Sequence, residues 1–405
     1  MKTDTYKSVA GQEDSCQFAS DFRQYIREQA RTALRAIVEE EVRELCGGYY
    51  QPENGASCRR AGSAPSHVRI GGGRETMSRP RVRTREGDGG SEVALKSWKL
   101  AKDPREWEEA MMRAILCGVS TRKVKALRES EVKGESSSQL SRLWQRKAAE
   151  LVVEVQQSDL SGIDLLVLML DAVVLSGGLV ATVALAIDRE GQKHILGFRV
   201  GSSENQEVCR DLLEGLSQRG LKAPADRSLL AVLDGSKALK KALLRLYPNV
   251  ILQRCLVHKE RNIRGYLPWK HWKSLAALFK SLRRSQGADA AKEAAEAIER
   301  FLRDKNAQAR ESFEEAGEEL LALFRLNGPN TLHVSLLSTN CIENVFKNLR
   351  RHIGRVCRWR EETRQADLWL ASGLILAAKG FRKIQGHNEI PELVRALEDH
   401  HRNAK

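Results

Sequence analysis

Long apolar segments and closely paired cysteines are both missing from this sequence of 405 residues. The longest apolar run, at residues 165–170, is far too short to span a bilayer. The first residues, MKTDTYKSVAGQEDSC, lack the apolar core of a secretory signal peptide. The eight cysteines lie singly along the chain, which indicates free thiols in a reducing compartment. These absences predict a cytoplasmic protein without a membrane segment.

Basic residues are the main excess in the composition. Lys and Arg number 67 against 53 Asp and Glu, which gives a net charge of +14. If clustered, such an excess suits a polyanionic partner, most commonly nucleic acid; the alternative is that it only keeps the protein soluble. Hydrophobic residues make up 41% and charged residues 30%, as in soluble globular proteins, and the length suffices for two or three domains.

The amino-terminal part is predicted to contain a helix followed by a basic region. Apolar residues at helical spacing predict a helix over residues 20–45, within an N-terminal helical segment of residues 1–50. Residues 51–90 are rich in Gly, Ser and Arg, and the region of residues 51–103 is predicted to form either a small β unit or a basic arm. The arginines of this region suit a phosphate backbone, and a solvated loop explains them equally well: Arg59, Arg60, Arg69, Arg74, Arg79, Arg81, Arg83 and Arg85.

Residues 104–158 have the pattern of three helices. The first ends at Gly118, Ser120 caps a second that begins TRKVKAL, and a serine run precedes the third. This order, together with the basic balance, is typical of a helix-turn-helix DNA-binding region, and an ordinary three-helix bundle is the alternative. The candidate DNA contacts are Arg122, Lys123 and Arg142.

From residue 159 the periodicity changes from helical to strand-like. Apolar runs of strand length and intervening helices follow in the order β-β-β-α-β-α-β up to residue 258. This order predicts an α/β fold whose core is a ribonuclease-H-like mixed sheet. Residues 259–335 show only helical patterns and are predicted to be an all-helical insertion. Residues 336–405 then complete the core with the helix of Glu343 and the C-terminal helices.

Two acidic residues are predicted to end apolar strands of this sheet. Asp171 and Asp234 each follow an apolar run, and the first and fourth strands are expected to be neighbours, so the two carboxylates meet. Adjacent anions repel, and Mg²⁺ or Mn²⁺ would relieve the repulsion because hard cations bind oxygen ligands. Glu343, on a returning helix, is the candidate third ligand. Taken singly, each aspartate could cap a turn, and Glu343 could form a surface ion pair with Lys347.

Cys255 and His258 lie three residues apart among basic residues. The spacing fits half of a zinc site, a thiol–imidazole catalytic pair, or a buried cysteine beside an interfacial histidine. A structural zinc site needs two further ligands, and no second close pair exists among the other cysteines. The buried cysteine is therefore favoured over zinc.

Several segments resemble the insertion-sequence transposases of the Mutator superfamily. They are DGSKALKKALLRLYPNVILQRCLVHKERN at residues 234–262, STNCIENVFKNLRR at residues 338–351, and the stretch between the two aspartates. The resemblance extends over about residues 80–393. It implies a DDE transposase with the catalytic triad Asp171, Asp234 and Glu343 and with two Mg²⁺ or Mn²⁺ ions in each active site.

The resemblance also implies roles for the residues around the triad. Cys255 and His258 match the family's C-x-x-H signature, with His258 expected to orient DNA or a metal-bound water and Cys255 to pack. Thr339 and Asn340 belong to the motif before Glu343. Many members carry a basic residue soon after the first aspartate, where this chain has VVLSGG, which leaves a substrate contact from that loop in doubt. The expected DNA-facing residues beside the site are Arg254, Lys259, Arg261, Lys347, Arg350 and Arg351.

The implied activity is cleavage of double-stranded DNA at the terminal inverted repeats and joining of the freed 3′-OH to target DNA. A homodimer is expected to hold the paired ends, with the helical insertion clamping DNA, in the cytoplasm at the nucleoid. Two alternatives are a related ribonuclease-H-like nuclease that cuts without joining and an inactive or domesticated derivative that only binds DNA. The insertion argues against the first alternative, and the intact triad argues against the second.

Overall fold

A computed structural model contains two compact units, Met1–Trp144 and Gln145–Lys405. The structure describes residues 10–48, 56–70, 73–85, 90–103, 105–117, 119–120, 137–202, 205–354, 356 and 358–403. Each unit encloses its own apolar core. Arg122 and Lys123 lie outside the described residues, as does most of the predicted middle helix of the helix-turn-helix.

A long helix and a three-stranded antiparallel sheet form the first unit. Helix α1 (Ala10–Cys46) begins well before the predicted residue 20. Strands β1 (Cys58–Ile70), β2 (Gly73–Thr84) and β3 (Glu92–Val93) pair in that order, so the described part of residues 51–103 includes a small β unit. Apolar side chains of α1, of the strands and of the segment after β3 form the core: Val38, Val42, Cys46, Cys58, Val68, Ile70, Met77, Val82, Leu95 and Trp98.

Three further helices follow this sheet. They are α2 (Lys96–Ala101), α3 (Arg105–Leu116) and α4 (Ser137–Gln157), and α4 runs across the boundary between the two units. Helices α3 and α4 correspond to the first and third helices that the sequence predicts in residues 104–158.

A five-stranded mixed sheet forms the centre of the second unit. Its strands are β4 (Leu165–Val174), β5 (Val180–Asp188), β6 (Lys193–Gly201), β7 (Leu230–Leu233) and β8 (Ile251–Arg254), in the order β6-β5-β4-β7-β8. Strand β5 is antiparallel to β4 and β6, whereas β4, β7 and β8 are parallel. Strands β4 and β7 are almost wholly apolar because both faces of the sheet are covered. The predicted mixed sheet, with its first and fourth strands adjacent, is confirmed.

The remaining helices of this unit lie between the later strands of the sheet and after its last strand in the sequence. Helices α5 (Gln206–Gln218) and α6 (Lys237–Leu246) alternate with the strands. After β8 come α7 (Leu256–Gly265), α8 (Trp272–Arg283), α9 (Gly287–Arg303), α10 (Ala307–Ala316), α11 (Ala322–Arg325) and α12 (His333–Leu336). The last three helices are α13 (Asn340–Ile353), α14 (Gln365–Ala378) and α15 (Ile390–Asn403). Helix α10 contacts α7, α11 contacts β8, and α13 contacts β4, so the helices after β8 return to the edge of the sheet where β7 ends.

One prediction about this sheet is wrong. Asp171 does not end its strand, because β4 continues to Val174 through its antiparallel pairing with β5. Only the parallel neighbour, β7, ends at this position along the sheet.

None of the described helices combines the length and the apolar composition that a membrane span requires.

Candidate active site

Asp171 and Asp234 occupy adjacent positions on neighbouring strands. Leu170 of β4 is paired with Leu233 of β7, and the next residue on each strand is an aspartate. Asp171 is buried, and its carboxylate accepts a hydrogen bond of 2.8 Å from the backbone N–H of Ala172. Asp234 is half-buried and follows the end of β7. The parallel pairing therefore brings together the two carboxylates that the sequence placed at this edge.

The environment of Asp171 disfavours its negative charge. Burial, together with the charge of Asp234, raises the pKa of Asp171 from its ordinary 3.8 to about 7. The charge of Glu343 adds to this effect, while His258 and the N–H of Ala172 oppose it. The two aspartates repel each other, as carboxylates that share a cation site do when no cation is bound.

Glu343 comes to the same place from the first turn of α13. Its Oε1 atom is buried without a hydrogen-bond partner and lies 3.2 Å from His258 Nε2. In the described part of the chain, Glu343 forms this ion pair and none with Lys347, which lies exposed one turn further along the helix. The surface ion pair between Glu343 and Lys347, which the sequence allowed as an alternative, is therefore not formed between these described residues.

Cys255 ties the starts of two helices together. It is fully buried at the N-cap of α7, where Sγ accepts a hydrogen bond from the backbone N–H of His258 at 3.4 Å. The same sulfur accepts bonds from the backbone N–H and the hydroxyl of Thr339, at 3.3 and 3.5 Å. Thr339 precedes α13, and its side chain makes no cap hydrogen bond to that helix. One thiol thus joins the helix that carries His258 to the helix that carries Glu343.

His258 is held as a cation between the carboxylate of Glu343 and the hydroxyl of Thr339. Hydrogen bonding with Cys255 and the charges of Asp171 and Glu343 raise the pKa of His258 to about 9, although burial opposes the shift. A protonated ring donates from both nitrogens. Nε2 then faces Glu343, and Nδ1 lies 3.2 Å from the hydroxyl of Thr339. Burial by itself raises the pKa of Cys255, but hydrogen bonds from His258 and Thr339 bring it below the ordinary thiol value.

The donor set fits a hard divalent cation. One carboxylate oxygen each of Asp171 and Glu343 and a ring nitrogen of His258 lie within 4.8 Å of one another. Among the described residues this is the only such group of His, Cys, Asp and Glu, and neither Cys255 nor Asp234 is part of it. Asp234 adds a second carboxylate beside Asp171. Repelled carboxylates and a Glu343 oxygen without a hydrogen-bond partner suit Mg²⁺ or Mn²⁺ better than zinc bound by a thiolate.

Arg254 and Lys259 do not lie on the surface, where the sequence placed them as DNA contacts. Both are buried. Arg254 donates to Glu319 at 3.0 Å and to Glu315 at 3.2 Å, and Lys259 donates to Glu315 at 3.0 Å. These ion pairs hold α10 and the following 3-10 turn, Gly317–Leu320, against the end of the sheet. In this structure the two cations are engaged within the protein, which corrects their predicted role.

The acidic partners of these cations and the glycine beside them were not predicted from the sequence. The acidic run ESFEEAGEEL at residues 311–320 could have indicated Glu315 and Glu319 as partners, because its negative charge is complementary to the basic segment QRCLVHKER. Gly235, directly after Asp234, has a φ of 117°, and a Cβ there would lie 2.1 Å from Arg254 Nη1. Only glycine permits the guanidinium of Arg254 to pack this closely against the backbone.

The other predicted contacts are at the surface. Within the described residues these exposed contacts are Arg142 on α4, Arg261 on α7, and Lys347, Arg350 and Arg351 on α13. Asn340, of the motif before Glu343, is also exposed. The loop after β4, which lacks the basic residue that many family members carry, is held by residues that follow α13. Ser176 donates to the carbonyl of Val356 at 2.6 Å, and Trp359 Nε1 donates to the carbonyl of Ser176 at 2.7 Å.

Comparison with known proteins gives several relatives. The transposase of insertion sequence element IS905 from Lactococcus lactis is 26% identical over 347 residues, which cover 82% of this chain and 83% of the relative. The transposase of ISRM5 from Rhizobium meliloti is 28% identical over 341 residues, 80% of this chain and 81% of the relative. The transposase of IS256 in transposon Tn4001 from Staphylococcus aureus is 31% identical over 260 residues, 60% of this chain and 64% of the relative.

The family model described as "Transposase, Mutator family" matches residues 1–363, which include the candidate site and most of the chain. Residues 234–262 and 338–351 of this chain, which carry the resemblance to this family, include Asp234, Cys255, His258, Thr339 and Glu343. This chain therefore belongs to the Mutator family of transposases.

Proposed function

We propose that this chain is a DDE transposase. It binds the terminal inverted repeats of its insertion sequence, cleaves DNA at the element ends and joins the 3′-OH to target DNA by two-metal phosphoryl transfer. The observation that carries the proposal is the convergence of Asp171, Glu343 and His258 beside Asp234 at one edge of a mixed sheet. The strand order β6-β5-β4-β7-β8 supports a ribonuclease-H-like core. Family membership supports transposition, because transposases act on DNA.

Three carboxylates are assigned to the metal site. Asp171, Asp234 and Glu343 would hold two Mg²⁺ or Mn²⁺ ions in each active site, since carboxylate oxygens are the ligands that hard cations prefer. Bound divalent cations supply Lewis acidity and charge neutralisation at the phosphodiester. The raised pKa of Asp171 reflects the cost of its charge without a cation, and relief of that cost favours metal binding.

His258 is assigned to positioning and charge rather than to metal ligation. A protonated imidazole has no free lone pair for a metal, and the raised pKa of His258 favours that form. Its Nε2 atom lies 3.2 Å from Glu343 Oε1, so the positive charge of the ring would hold that carboxylate in place. The same positive charge at the rim of the site favours the phosphate of DNA.

Cys255 and Thr339 keep this geometry in place. They link the first turns of α7 and α13, whose N-terminal ends both meet at the site. Helix N-termini favour anions, and two of them beside the carboxylates offset part of the negative charge that a DNA phosphate brings.

Duplex DNA is assigned to two further regions. Residues 104–158, with Arg142 exposed on α4, would read the terminal inverted repeat. Exposed residues on α7 and α13 would hold the backbone of end and target DNA near the site: Arg261, Lys347, Arg350 and Arg351. A homodimer on paired ends, at the nucleoid, follows from the need to hold both ends of one element together.

A cleavage and strand-transfer assay on DNA with the element's own ends tests the proposal. Wild-type protein with Mg²⁺ is expected to cut at the ends and to produce joined product. Cutting without joining would indicate a nuclease, and binding without cutting would indicate an inactive DNA-binding derivative. Glu343→Gln should abolish both reactions, whereas Asp211→Asn, an exposed acidic position on α5, should not.

A further inference from the structure

The Asp234 loop (residues 234–236) connects β7 to α6 and is held by a side chain of the neighbouring strand. The carboxylate of Asp234 accepts a hydrogen bond of 2.9 Å from the backbone N–H of Ser236, which caps α6. The carbonyl of Gly235, the residue between them, accepts a hydrogen bond of 3.2 Å from Nη1 of Arg254, at the end of β8. The backbone that carries the Asp234 carboxylate therefore depends on where Arg254 lies.

The guanidinium of Arg254 also binds two glutamates from the helical region after β8. Its Nε donates to Glu319 at 3.0 Å, and its Nη2 donates to Glu315 at 3.2 Å. Because Arg254 is buried, its charge requires these carboxylates. The guanidinium is planar and rigid, so with Nη1 on Gly235 it fixes the two glutamates relative to the Asp234 loop.

Glu315 and Glu319 contact two further cations, on helices that begin at the site. Glu319 forms an ion pair with Lys240 on α6, the helix that follows the Asp234 loop. Glu315 accepts a hydrogen bond of 3.0 Å from Lys259 on α7, the residue directly after His258. The two glutamates thus bind cations on β8, α6 and α7, the three elements that flank the carboxylates of the sheet.

The chain that carries these glutamates is docked on the sheet by hydrogen bonds of its own. Gln253 of β8 is fully buried, and its side-chain nitrogen donates to the carbonyl of Leu320 at 3.2 Å. Its side-chain oxygen accepts a hydrogen bond of 2.8 Å from the backbone N–H of Leu323. These bonds fix the backbone directly after Glu319, so that residue has a defined position beside the end of β8.

We propose that Glu315 and Glu319 are positioning residues of the metal site, which act through the buried Arg254 on the Asp234 loop. Hydrogen-bonded partners that orient a metal ligand raise the affinity for the metal, and loss of one typically lowers that affinity about 10- to 100-fold. The helical region after β8 is then a required part of the metal site. The inference rests on the proposed function, because it requires that Asp234 bind a metal ion.

Titration of the full chain on its end DNA with Mn²⁺, followed by electron paramagnetic resonance, tests this inference. Glu319→Gln keeps the shape of the side chain and removes the negative charge that faces Arg254 and Lys240. The dissociation constant of the more weakly bound Mn²⁺ is expected to rise about 10-fold or more. In a cleavage assay, the Mg²⁺ concentration for half-maximal rate should rise by a similar factor, while saturating Mg²⁺ restores most of the maximal rate.

Two matched variants separate positioning from a change of charge. Glu314→Gln removes the adjacent carboxylate of α10, which pairs with Arg310 of the same helix at 3.1 Å, and should bind Mn²⁺ as the wild type does. Arg254→Lys keeps the positive charge but lacks the planar fork that reaches Gly235 and both glutamates, so its Mn²⁺ dissociation constant should also rise about 10-fold. Thermal unfolding in EDTA checks that each variant is folded during the titration.

The outcomes distinguish this inference from the proposed function. Wild-type Mn²⁺ affinity in either folded variant, Glu319→Gln or Arg254→Lys, would overturn the inference, and the proposed function would stand if the wild type bound two Mn²⁺ and cut DNA. An equal loss of affinity in Glu314→Gln would overturn it as well, since only the charge of α10 would then matter. If either variant is unfolded, Lys240→Ala, at a half-buried position, replaces it with the same expectation. A wild type that neither binds Mn²⁺ nor cuts DNA would overturn both.

Discussion

Replacement of Asp171 by Asn is expected to stabilise the metal-free protein while it abolishes cleavage. Asparagine keeps the shape of the side chain and the acceptor for the N–H of Ala172, and it removes only the charge. Burial and Asp234 raise the pKa of Asp171 from 3.8 to about 7. At 1.36 kcal/mol for each pH unit, the charged form costs the folded protein roughly 4 kcal/mol. Because the folded state holds this proton to a higher pH than the unfolded state, the wild type loses that stability as the pH rises from about 4 to about 7.

Denaturant-induced unfolding of the full chain in the presence of EDTA measures this effect. The Asn variant should exceed the wild type in the free energy of unfolding by up to about 4 kcal/mol at pH 8, and by much less near pH 5. Addition of Mg²⁺ should stabilise the wild type more than the variant, so that the difference between their free energies of unfolding becomes smaller. Asp211→Asn, at an exposed position, should show no such pH-dependent gap. A variant less stable than the wild type at pH 8 without metal would refute the reasoning, because the carboxylate would then be holding the fold together.

Three further substitutions test the surroundings of the carboxylates. His258→Ala should slow cleavage by about 100-fold, the usual effect of losing one positioned charged group, while the fold and the zinc content stay unchanged; stoichiometric zinc and unfolding by a chelator would contradict this. Cys255→Ala should lower the thermal stability more than Cys255→Ser, because it leaves two buried N–H donors without an acceptor, each at about 1–3 kcal/mol; equal losses would argue against the hydrogen-bonding role. Gly235→Ala should destabilise the protein by roughly 2–3 kcal/mol, since its φ is 117° and a Cβ would lie 2.1 Å from Arg254 Nη1. Gly178→Ala, with a φ of 80° and no atom within 4 Å of a Cβ, should lose less stability, and equal losses would argue against the close packing of Arg254.

Local patterns were sufficient to predict the sheet and the adjacency of its two aspartates. The apolar runs of β4 and β7 mark strands buried on both faces, and chain order makes these two strands parallel neighbours. The position of Asp171 inside β4 was not predictable from the same run. It depends on how far β5 pairs beyond the end of β7, which is a property of the assembled sheet.

The surroundings of the site depend on contacts between distant parts of the sequence. Arg254 and Lys259 look like surface cations because the glutamates that neutralise them lie about sixty positions further along the chain. The link from Cys255 to Thr339 joins residues 84 positions apart. In isolation, each of these residues has an ordinary explanation as a cap or a solvated charge. Only the folded arrangement assigns them to one site.

Counting the Mn²⁺ ions bound by the full chain on its end DNA tests the central claim most directly. The claim is that Asp171, Asp234 and Glu343 form a two-metal site for phosphoryl transfer. Electron paramagnetic resonance titration is expected to give two Mn²⁺ per chain, with fewer bound after Asp171→Asn, Asp234→Asn or Glu343→Gln and the wild-type number retained after Asp211→Asn. Mn²⁺ binding that is absent from the wild type, or unchanged in all three carboxylate variants, would contradict the account.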